Sequence, residues 1–178
     1  RKDLNRIALQ VETRQKLNSI DRRGVGAGFS AGVDSLTTLK IFSADTVPSQ
    51  QKITDLCTFN VGAFEDGPFA DALFQKYKKR LKDFAEERGF GSFLVSSDMN
   101  WIYEKLAISF QSSHILRNVA AAYFCSDYLN FYHYSSSIPY RQLNMTRKDL
   151  TTFEPIILDL LSNEEMNFRS SGAALDRM

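Results

Sequence analysis

Short apolar runs alternate with longer amphipathic stretches along most of this chain. The first run, residues 24–29 (Gly-Val-Gly-Ala-Gly-Phe), favours a buried strand, although its glycines weaken that prediction. Further strands are predicted where apolar and aromatic residues cluster between turn residues, at 52–60, 92–95, 130–134 and 166–169. The pattern therefore indicates five strands separated by longer connecting segments.

Between these strands, apolar residues recur at helical spacing. Helices are predicted at residues 1–20, 36–42, 68–88, 101–110 and 114–123. Pro68 suits the first turn of a helix, and Gly89 suits its end. A further helix is expected after residues 151–154 (Thr-Thr-Phe-Glu), which resemble a capping box.

The helix that begins near Pro68 is strongly amphipathic. Its apolar stripe is predicted to consist of Phe69, Leu73, Tyr77, Leu81 and Phe84. Charged residues line the opposite side: Lys78, Lys79, Arg80, Lys82, Glu86, Glu87 and Arg88. They are more simply explained as a solvated helix face than as a nucleic-acid site, because no aromatic residues interleave with them.

Strands that alternate with helices require crossover connections, and these predict a parallel sheet with helices on both faces. The sequence thus predicts an α/β fold: a Rossmann-like three-layer sandwich with a mostly parallel sheet of about five strands flanked by helices. Residues 1–23 are predicted to form an N-terminal amphipathic helix, and residues 24–178 a single domain. The pattern of residues 170–178 looks unfinished, so we expect this domain to be truncated at its C-terminus.

Composition narrows the class of protein. Of 178 residues, 43% are apolar and 24% charged, with a formal net charge of +1, so no strong overall field favours nucleic acid or a membrane. No apolar run reaches the length of a membrane span. The two cysteines, Cys57 and Cys125, lie in apolar segments and fit free thiols in a reducing, cytoplasmic compartment.

The turn between the first strand and its helix contains the first candidate binding residues. Ser30, Ala31 and Gly32 are small, so a phosphate group can approach the backbone N–H groups and the positive end of the helix. Ser30 and Ser35 can each donate a hydroxyl hydrogen bond to phosphate. Asp34 would repel phosphate directly, so we expect it to orient the loop or to hold a magnesium ion.

The string Phe29-Ser30-Ala31-Gly32-Val33-Asp34-Ser35 resembles the Ser-Gly-Gly-x-Asp-Ser signature of the PP-loop ATP pyrophosphatases. The resemblance implies that residues 24–178 form a PP-loop domain that binds ATP and Mg²⁺ through residues 30–35. It also implies cleavage of ATP to AMP and pyrophosphate, with Asp34 and Ser35 in catalytic roles. The alanine at position 31 replaces the second glycine of the signature.

A second segment resembles one particular branch of this superfamily. His114-Ile115-Leu116-Arg117-Asn118, followed by small apolar residues, is similar to an Arg-Asn motif of the 7-cyano-7-deazaguanine synthases. Helical spacing places His114, Arg117 and Asn118 on one face. The resemblance implies that Arg117 offsets phosphate charge in catalysis and that Asn118 contacts the nucleotide. A structural salt bridge is the alternative for Arg117.

Two further loops follow predicted strands. The resemblance implies that Asn60, Val61 and Gly62 pass beside adenine, although a plain exit from the strand explains them equally well. It likewise implies that Ser135, Ser136 and Ser137 face the substrate, with a flexible connection as the alternative. The aspartate that the deazaguanine synthases carry in that loop is missing.

The sequence does not support the zinc site of the deazaguanine synthases, because Cys57, Cys125, His114 and His133 form no spaced metal motif. The predicted function is ATP-dependent adenylation of a carboxylate or carbonyl group, which ammonia or an amine then attacks. The alternative is a non-catalytic nucleotide-binding subunit or sensor within a larger assembly. The expected partner is a small-molecule or peptide substrate, and both a homo-oligomer and a partner subunit stay open.

Overall fold

The computed structural model describes residues 23–63, 68–144 and 149–174. The predicted N-terminal helix at residues 1–20 lies outside this part of the chain. The five strands are β1 Gly24–Gly28, β2 Asp55–Asn60, β3 Gly91–Ser96, β4 Leu129–Ser135 and β5 Asn167–Ser171. The helices are α1 Val33–Phe42, α2 Pro68–Glu87, α3 Met99–Lys105, α4 His114–Tyr123 and α5 Glu154–Leu160, with 3₁₀ turns at Tyr140–Gln142 and Leu150–Phe153.

The strands form one sheet in the order β3-β2-β1-β4-β5, and every neighbouring pair is parallel. The chain moves outward from β1 to β2 and β3, then returns to the other side of β1 for β4 and β5. The predicted fold class is confirmed, with a sheet that is wholly parallel.

Each face of the sheet has its own hydrophobic core. On one face α1 and α2 contact the sheet around Phe29, Leu39 and Leu56. On the other face α4 and α5 pack against a larger cluster that includes Ile115, Tyr132 and Leu158. Right-handed crossovers in opposite directions from β1 put helices on both sides and so produce three layers.

Three predictions about individual elements were wrong: the end of α3, the capping box and the buried stripe of α2. α3 ends at Lys105 instead of continuing to residue 110, and Ala107 has a φ of 53°, which a continuing helix cannot adopt. The capping box does not form: the N-cap of α5 is Phe153, which has no side-chain cap bond. The cap lies one element earlier, where the Asp149 carboxylate accepts a hydrogen bond from the Thr151 N–H at 2.8 Å.

The buried stripe of α2 also differs from the prediction. Its most buried side chains are Phe74, Leu81 and Ala85, while Leu73 and Tyr77 remain more than a third exposed. Phe69 lies among the residues whose side chains are not described. No helix in the described ranges combines the length and apolar character needed to cross a membrane.

Candidate functional site

A cavity of about 570 Å³ opens at the carboxyl ends of β1, β2 and β4. This is the point where the chain reverses its direction of travel across the sheet, between β1 and β4. Open parallel sheets bind ligands at such switch points because the loops that leave adjacent strands diverge there and leave a crevice. The volume falls within the range of roughly 300–1,000 Å³ typical of small-molecule sites.

The floor of the cavity depends on the glycines of β1. A Cβ atom at Gly28 would lie 2.8 Å from the Tyr132 hydroxyl oxygen, and one at Gly26 would lie 2.8 Å from a Leu129 methyl carbon. The glycines therefore make room for large side chains of β4 to lean across β1. Both Gly28 and Tyr132 line the cavity, and burial raises the pKa of the Tyr132 hydroxyl well above its usual value.

The bend between β1 and α1 contains a residue in the left-handed conformation. Ala31 has a φ of 57°, a conformation that also occurs in anion-binding nests of backbone N–H groups. The Gly32 N–H donates to the Ser30 hydroxyl at 3.3 Å, and the Ser35 hydroxyl donates to the Gly32 carbonyl at 2.9 Å. The hydroxyl oxygens of Ser30 and Ser35 are 3.5 Å apart.

Of the predicted phosphate-binding residues, Ser30, Asp34 and Ser35 line the cavity. Ala31, Gly32 and Val33 do not line it; they lie exposed on the rim, and Val33 is 72% exposed. Only backbone groups of these three could contact a phosphate.

The half-buried Asp34 carboxylate is the group of this bend that can hold a cation. Magnesium usually binds through one or two protein carboxylates and completes its coordination with water and substrate phosphates. Asp34 with the nearby hydroxyls fits that chemistry. In the described part of the chain no group of three or more His, Cys, Asp and Glu side chains is placed to hold a metal ion.

Apolar and aromatic side chains form the other wall of the cavity. They are Phe29, directly after β1, Phe59 in β2, and Leu73, Tyr77 and Leu81 in α2. The Phe59 ring stacks on Tyr132, with centroids 5.9 Å apart, which fixes both rings at the edge of the cavity. Such a wall suits a flat aromatic group.

The thiol of Cys57 also lines the cavity. Burial raises its pKa well above the usual value, so the sulfur stays protonated and is a poor nucleophile.

Arg117, predicted to offset phosphate charge, lies inside the protein. It is 1% exposed and does not line the cavity. Its guanidinium donates to the Ser113 hydroxyl at 2.8 Å, the Asn100 side-chain oxygen at 2.8 Å and the Val61 carbonyl at 3.2 Å. It also lies over the Tyr103 ring, 3.9 Å from the centroid, and burial lowers its pKa. The structure therefore gives Arg117 a packing role between α4, α3 and the exit of β2.

Asn60, Val61 and Gly62, predicted to read adenine, are also absent from the cavity lining. Val61 is fully buried, and its carbonyl is held by Arg117. Gly62 has a φ of 106°, and a Cβ atom there would clash with the Arg117 guanidinium. The cavity is instead lined by Thr58 and Phe59, just before this exit, and by Ala63, just after it.

Asn118 and Ser135 do line the cavity. The Asn118 amide donates to the His114 carbonyl at 2.8 Å, and the Ser135 hydroxyl donates to the Gly28 carbonyl at 3.2 Å. The other two predicted substrate residues lie elsewhere: Ser136 is buried and donates to the Ile138 carbonyl at 3.1 Å, and Ser137 is exposed.

Several residues of the site were not predicted. Thr58, Phe59 and Tyr132 line the cavity from strands that were predicted. Which side chains of a strand face the cavity depends on the register between strands, which the sequence pattern did not fix. One signal was available: a glycine-rich strand beside an aromatic-rich one is typical of large side chains leaning over the small ones.

Glu154 is a further buried polar group that the sequence analysis assigned to a capping box. It is fully buried, and burial raises its pKa to about 7. The Asp34 carboxylate on the cavity wall raises that pKa further, while the hydroxyls of Ser170 and Ser136 oppose the rise. No sequence signal could have revealed it, because its depth depends on the packing of α5 against β5.

Comparison of the chain with protein-family models, with curated proteins and with solved structures found no match in any of the three. The resemblance to the PP-loop enzymes therefore rests on the residues of the bend and of α4.

Proposed function

We propose that this protein binds ATP with Mg²⁺ in the cavity at the β1–β4 switch point and transfers its adenylyl group to a carboxylate or carbonyl oxygen. The observation that carries the proposal is the bend at residues 30–35. Its left-handed Ala31, two cavity-facing serines and one carboxylate lie together at the positive end of α1.

The bend would hold the triphosphate. The reaction would need no nucleophile from the protein itself. Backbone N–H groups around Ala31 and the hydroxyls of Ser30 and Ser35 would bind the phosphate oxygens. Asp34 would hold Mg²⁺, which would supply positive charge near the departing pyrophosphate. The substrate oxygen attacks the α-phosphorus and the bond to pyrophosphate breaks. An amine nitrogen then attacks the activated carbon, and AMP leaves with the bonding electrons.

The apolar wall supports a nucleotide as the ligand. Phe29, Phe59 and Tyr77 offer aromatic surface close to the bend, where a base attached to the bound phosphates would lie. Flat aromatic ligands gain both apolar burial and ring contacts from such a wall. A cavity with an apolar wall and a phosphate-binding turn at its rim fits a nucleotide better than it fits inorganic phosphate alone.

Binding of a non-hydrolysable ATP analogue, measured by calorimetry with and without Mg²⁺, tests the proposal. We expect Ser30→Ala and Ser35→Ala to weaken binding about tenfold each, because each removes a hydroxyl donor to a charged phosphate. Asp34→Asn should abolish the contribution of Mg²⁺. Ser43→Ala, at the far end of α1, is the matched control and should bind normally. Equal binding by all four variants would refute the proposed site.

The products then identify the reaction. ATP labelled at the α-phosphate, incubated with Mg²⁺ and panels of carboxylic acids and amines, should yield labelled AMP. Release of ADP would contradict the adenylation mechanism.

One observation favours a second function, a nucleotide-binding subunit or sensor without turnover. The guanidinium of Arg117, which the catalytic reading needs near the phosphates, is bound to Ser113, Asn100 and Val61. Without that positive charge, the bend can still bind ATP but stabilises the departing pyrophosphate less. Binding of ATP with no AMP formed from any acid and amine in the panel would favour this function.

A further inference from the structure

The cavity at the β1–β4 switch point has two unlike sides. Phe29 and Leu81 belong to the hydrophobic core between the sheet and α2. Tyr132 and Cys57 belong to the core of the opposite face, which α4 covers. The lining residues on this second face carry polar groups, and together they are called the α4 side of the cavity: Cys57, Asn118, Tyr132 and Tyr134.

The Tyr132 hydroxyl is a buried polar group that makes no hydrogen bond to another described residue. Tyr132 is only 2% exposed, and its ring crosses β1 so that the hydroxyl lies beside Gly28, which also lines the cavity. The hydroxyls of Ser35, Thr58 and Ser135 differ, because each donates to a backbone carbonyl. A buried tyrosine hydroxyl usually has a partner, so this one points to a ligand in the cavity.

Asn118 supplies an acceptor on the same side. Its amide nitrogen donates to the His114 carbonyl at 2.8 Å, and no described residue donates to its side-chain oxygen. Burial raises the pKa of Tyr132, so the phenol keeps its proton and can donate it. The α4 side therefore offers one donor and one acceptor, which is the pattern complementary to an amide group.

The charge of the lining disfavours a carboxylate. Among the described residues that line the cavity, none is a lysine, an arginine or a histidine, and Asp34 carries a negative charge. A carboxylate on the α4 side would lose its water without gaining a cationic partner, which is costly. It also has no proton to donate to the Asn118 oxygen. A triphosphate bound at the bend would add further negative charge.

We propose that the α4 side of the cavity binds an uncharged amide group. The Tyr132 hydroxyl donates to the carbonyl oxygen of the amide, and the Asn118 side-chain oxygen accepts from its N–H. These two residues distinguish an amide from a carboxylate of the same shape. The use of the bound amide as the adenylated substrate, though not its binding, rests on the function proposed above.

In that use the chemical step balances. The amide oxygen forms a bond to the α-phosphorus, and the bond from phosphorus to pyrophosphate breaks with its electrons. The amide nitrogen releases one proton to water, which leaves an adenylated imidate. An amine then attacks the imidate carbon, the C–O bond to AMP breaks, and the added nitrogen releases a second proton as an amidine forms.

Three flat probes of similar shape test the class of ligand. Benzamide has the amide, benzoate replaces its NH₂ group by a charged oxygen, and acetophenone replaces it by a methyl group. Each is titrated into the isotope-labelled full chain without ATP or Mg²⁺, and the NMR signals of the Gly28 backbone and Asn118 side-chain amides are followed. We expect benzamide to shift both signals with a Kd of about 1 mM, in the range of so small a ligand. Acetophenone should bind roughly threefold to tenfold more weakly, and benzoate more weakly still.

Tyr132→Phe removes the hydroxyl and keeps the ring. We expect its affinity for benzamide to fall roughly threefold to tenfold. Its melting temperature should stay equal or rise, because no described residue loses a hydrogen bond, whereas loss of a structural hydroxyl would lower it. Tyr128→Phe, which removes an exposed hydroxyl just before β4 at the opposite edge of the sheet, is the matched control and should change neither quantity.

Benzoate that binds as tightly as benzamide would overturn the preference for an uncharged group. Acetophenone that binds as tightly would overturn the acceptor role of Asn118. Unchanged affinity in Tyr132→Phe, or a lower melting temperature, would overturn the role of that hydroxyl. If none of the probes shifts the two signals, the amide site does not exist. Because ATP is left out, failure here is distinct from failure of ATP binding.

Discussion

At the scale of single residues, Ala31 combines strain with a proposed role. A left-handed conformation costs a non-glycine residue roughly 1–2 kcal/mol, because Cβ crowds the backbone. The resembling signature has glycine at this position, and the structure explains that preference by the φ of 57°. Such strain is often retained at binding sites, where the surrounding structure holds the strained conformation in place.

Ala31→Gly is therefore expected to stabilise the protein by roughly 0.5–1 kcal/mol, since relief of strain exceeds the added entropy of the unfolded chain. Urea denaturation measures the change. Affinity for the ATP analogue should stay within about twofold, because the backbone path is kept.

Ala107→Gly supplies the matched comparison, since Ala107 has a φ of 53° and lies away from the cavity. It should show the same gain in stability and no change in binding. A loss of stability in Ala31→Gly alone would mean that the bend is not strained as described.

Two buried titratable residues make the free energy of unfolding depend on pH, in opposite directions. The pKa of His133 falls to about 4 because burial disfavours the imidazolium, so stability is lost as pH falls from 6.5 toward 4. The pKa of Glu154 rises to about 7 from 4.5, so stability is lost as pH rises between these values. Each shift corresponds to about 3 kcal/mol over its full window.

We expect Glu154→Gln to be more stable than the parent at about pH 8, by roughly 2–3 kcal/mol, and nearly equal to it at about pH 4.5. Urea denaturation across this range gives the result. In the variant, the pH dependence of stability that remains should come from His133, as a steady loss of stability below about pH 6.5. A destabilised Glu154→Gln at the higher pH would mean that the carboxylate has an unidentified partner.

At the scale of elements, the central strand β1 and its neighbour β4 are matched by size. Gly26 and Gly28 give up side-chain volume so that Leu129 and Tyr132 can lean across. This match explains why a strand with three glycines lies in the middle of the sheet, where glycine is otherwise unfavourable.

Gly28→Ala should destabilise the protein by roughly 1–3 kcal/mol, because the new methyl group would lie 2.8 Å from the Tyr132 oxygen. Tyr132→Phe in the same chain should restore part of that loss, since the ring carbon beneath the hydroxyl lies at an acceptable 3.7 Å. A double-mutant cycle by urea denaturation measures the coupling, and additivity of the two changes would contradict the described contact.

The elements themselves were largely predictable. Apolar periodicity located all five strands, and α4 matched residues 114–123. The errors came from side chains whose role is set by neighbours. Glu154 follows two threonines as in a capping box, yet packing turns its carboxylate inward. Residues 106–110 continue the apolar pattern of α3, but the chain turns at Ala107.

At the scale of the whole molecule, alternation of strands and helices predicted three layers and a parallel sheet, because crossovers leave few other arrangements. Strand order was not predicted, and it decides which loops meet. Ser30, Asp34 and Ser35 were placed in the cavity by sequence alone. Arg117 was also predicted to lie there, and that prediction was wrong, because two of its three acceptors, Asn100 and Val61, come from segments outside α4 whose meeting with it depends on the tertiary fold.

Arg117 links α4, α3 and the exit of β2, so its removal should affect the whole fold. Arg117→Met is expected to cost about 3 kcal/mol or more, since the buried Val61 carbonyl and the Asn100 side chain would each lose a charged hydrogen-bond donor. Affinity for the ATP analogue, measured well below the melting temperature, should change less than about threefold. A large loss of affinity with unchanged stability would indicate that Arg117 contacts the nucleotide after all.

The position of β1 has a consequence for synthesis on the ribosome. Of the five described strands β1 is made first, and it needs partners on both sides, but β4 begins only at Leu129, roughly a hundred residues later. The segment β1-α1-β2-α2-β3 can assemble early and bury the Phe29 and Leu39 side of the sheet. Until β4 arrives, one edge of β1 and the opposite face of this nascent half stay uncovered, and we expect chaperones to engage the chain during that interval.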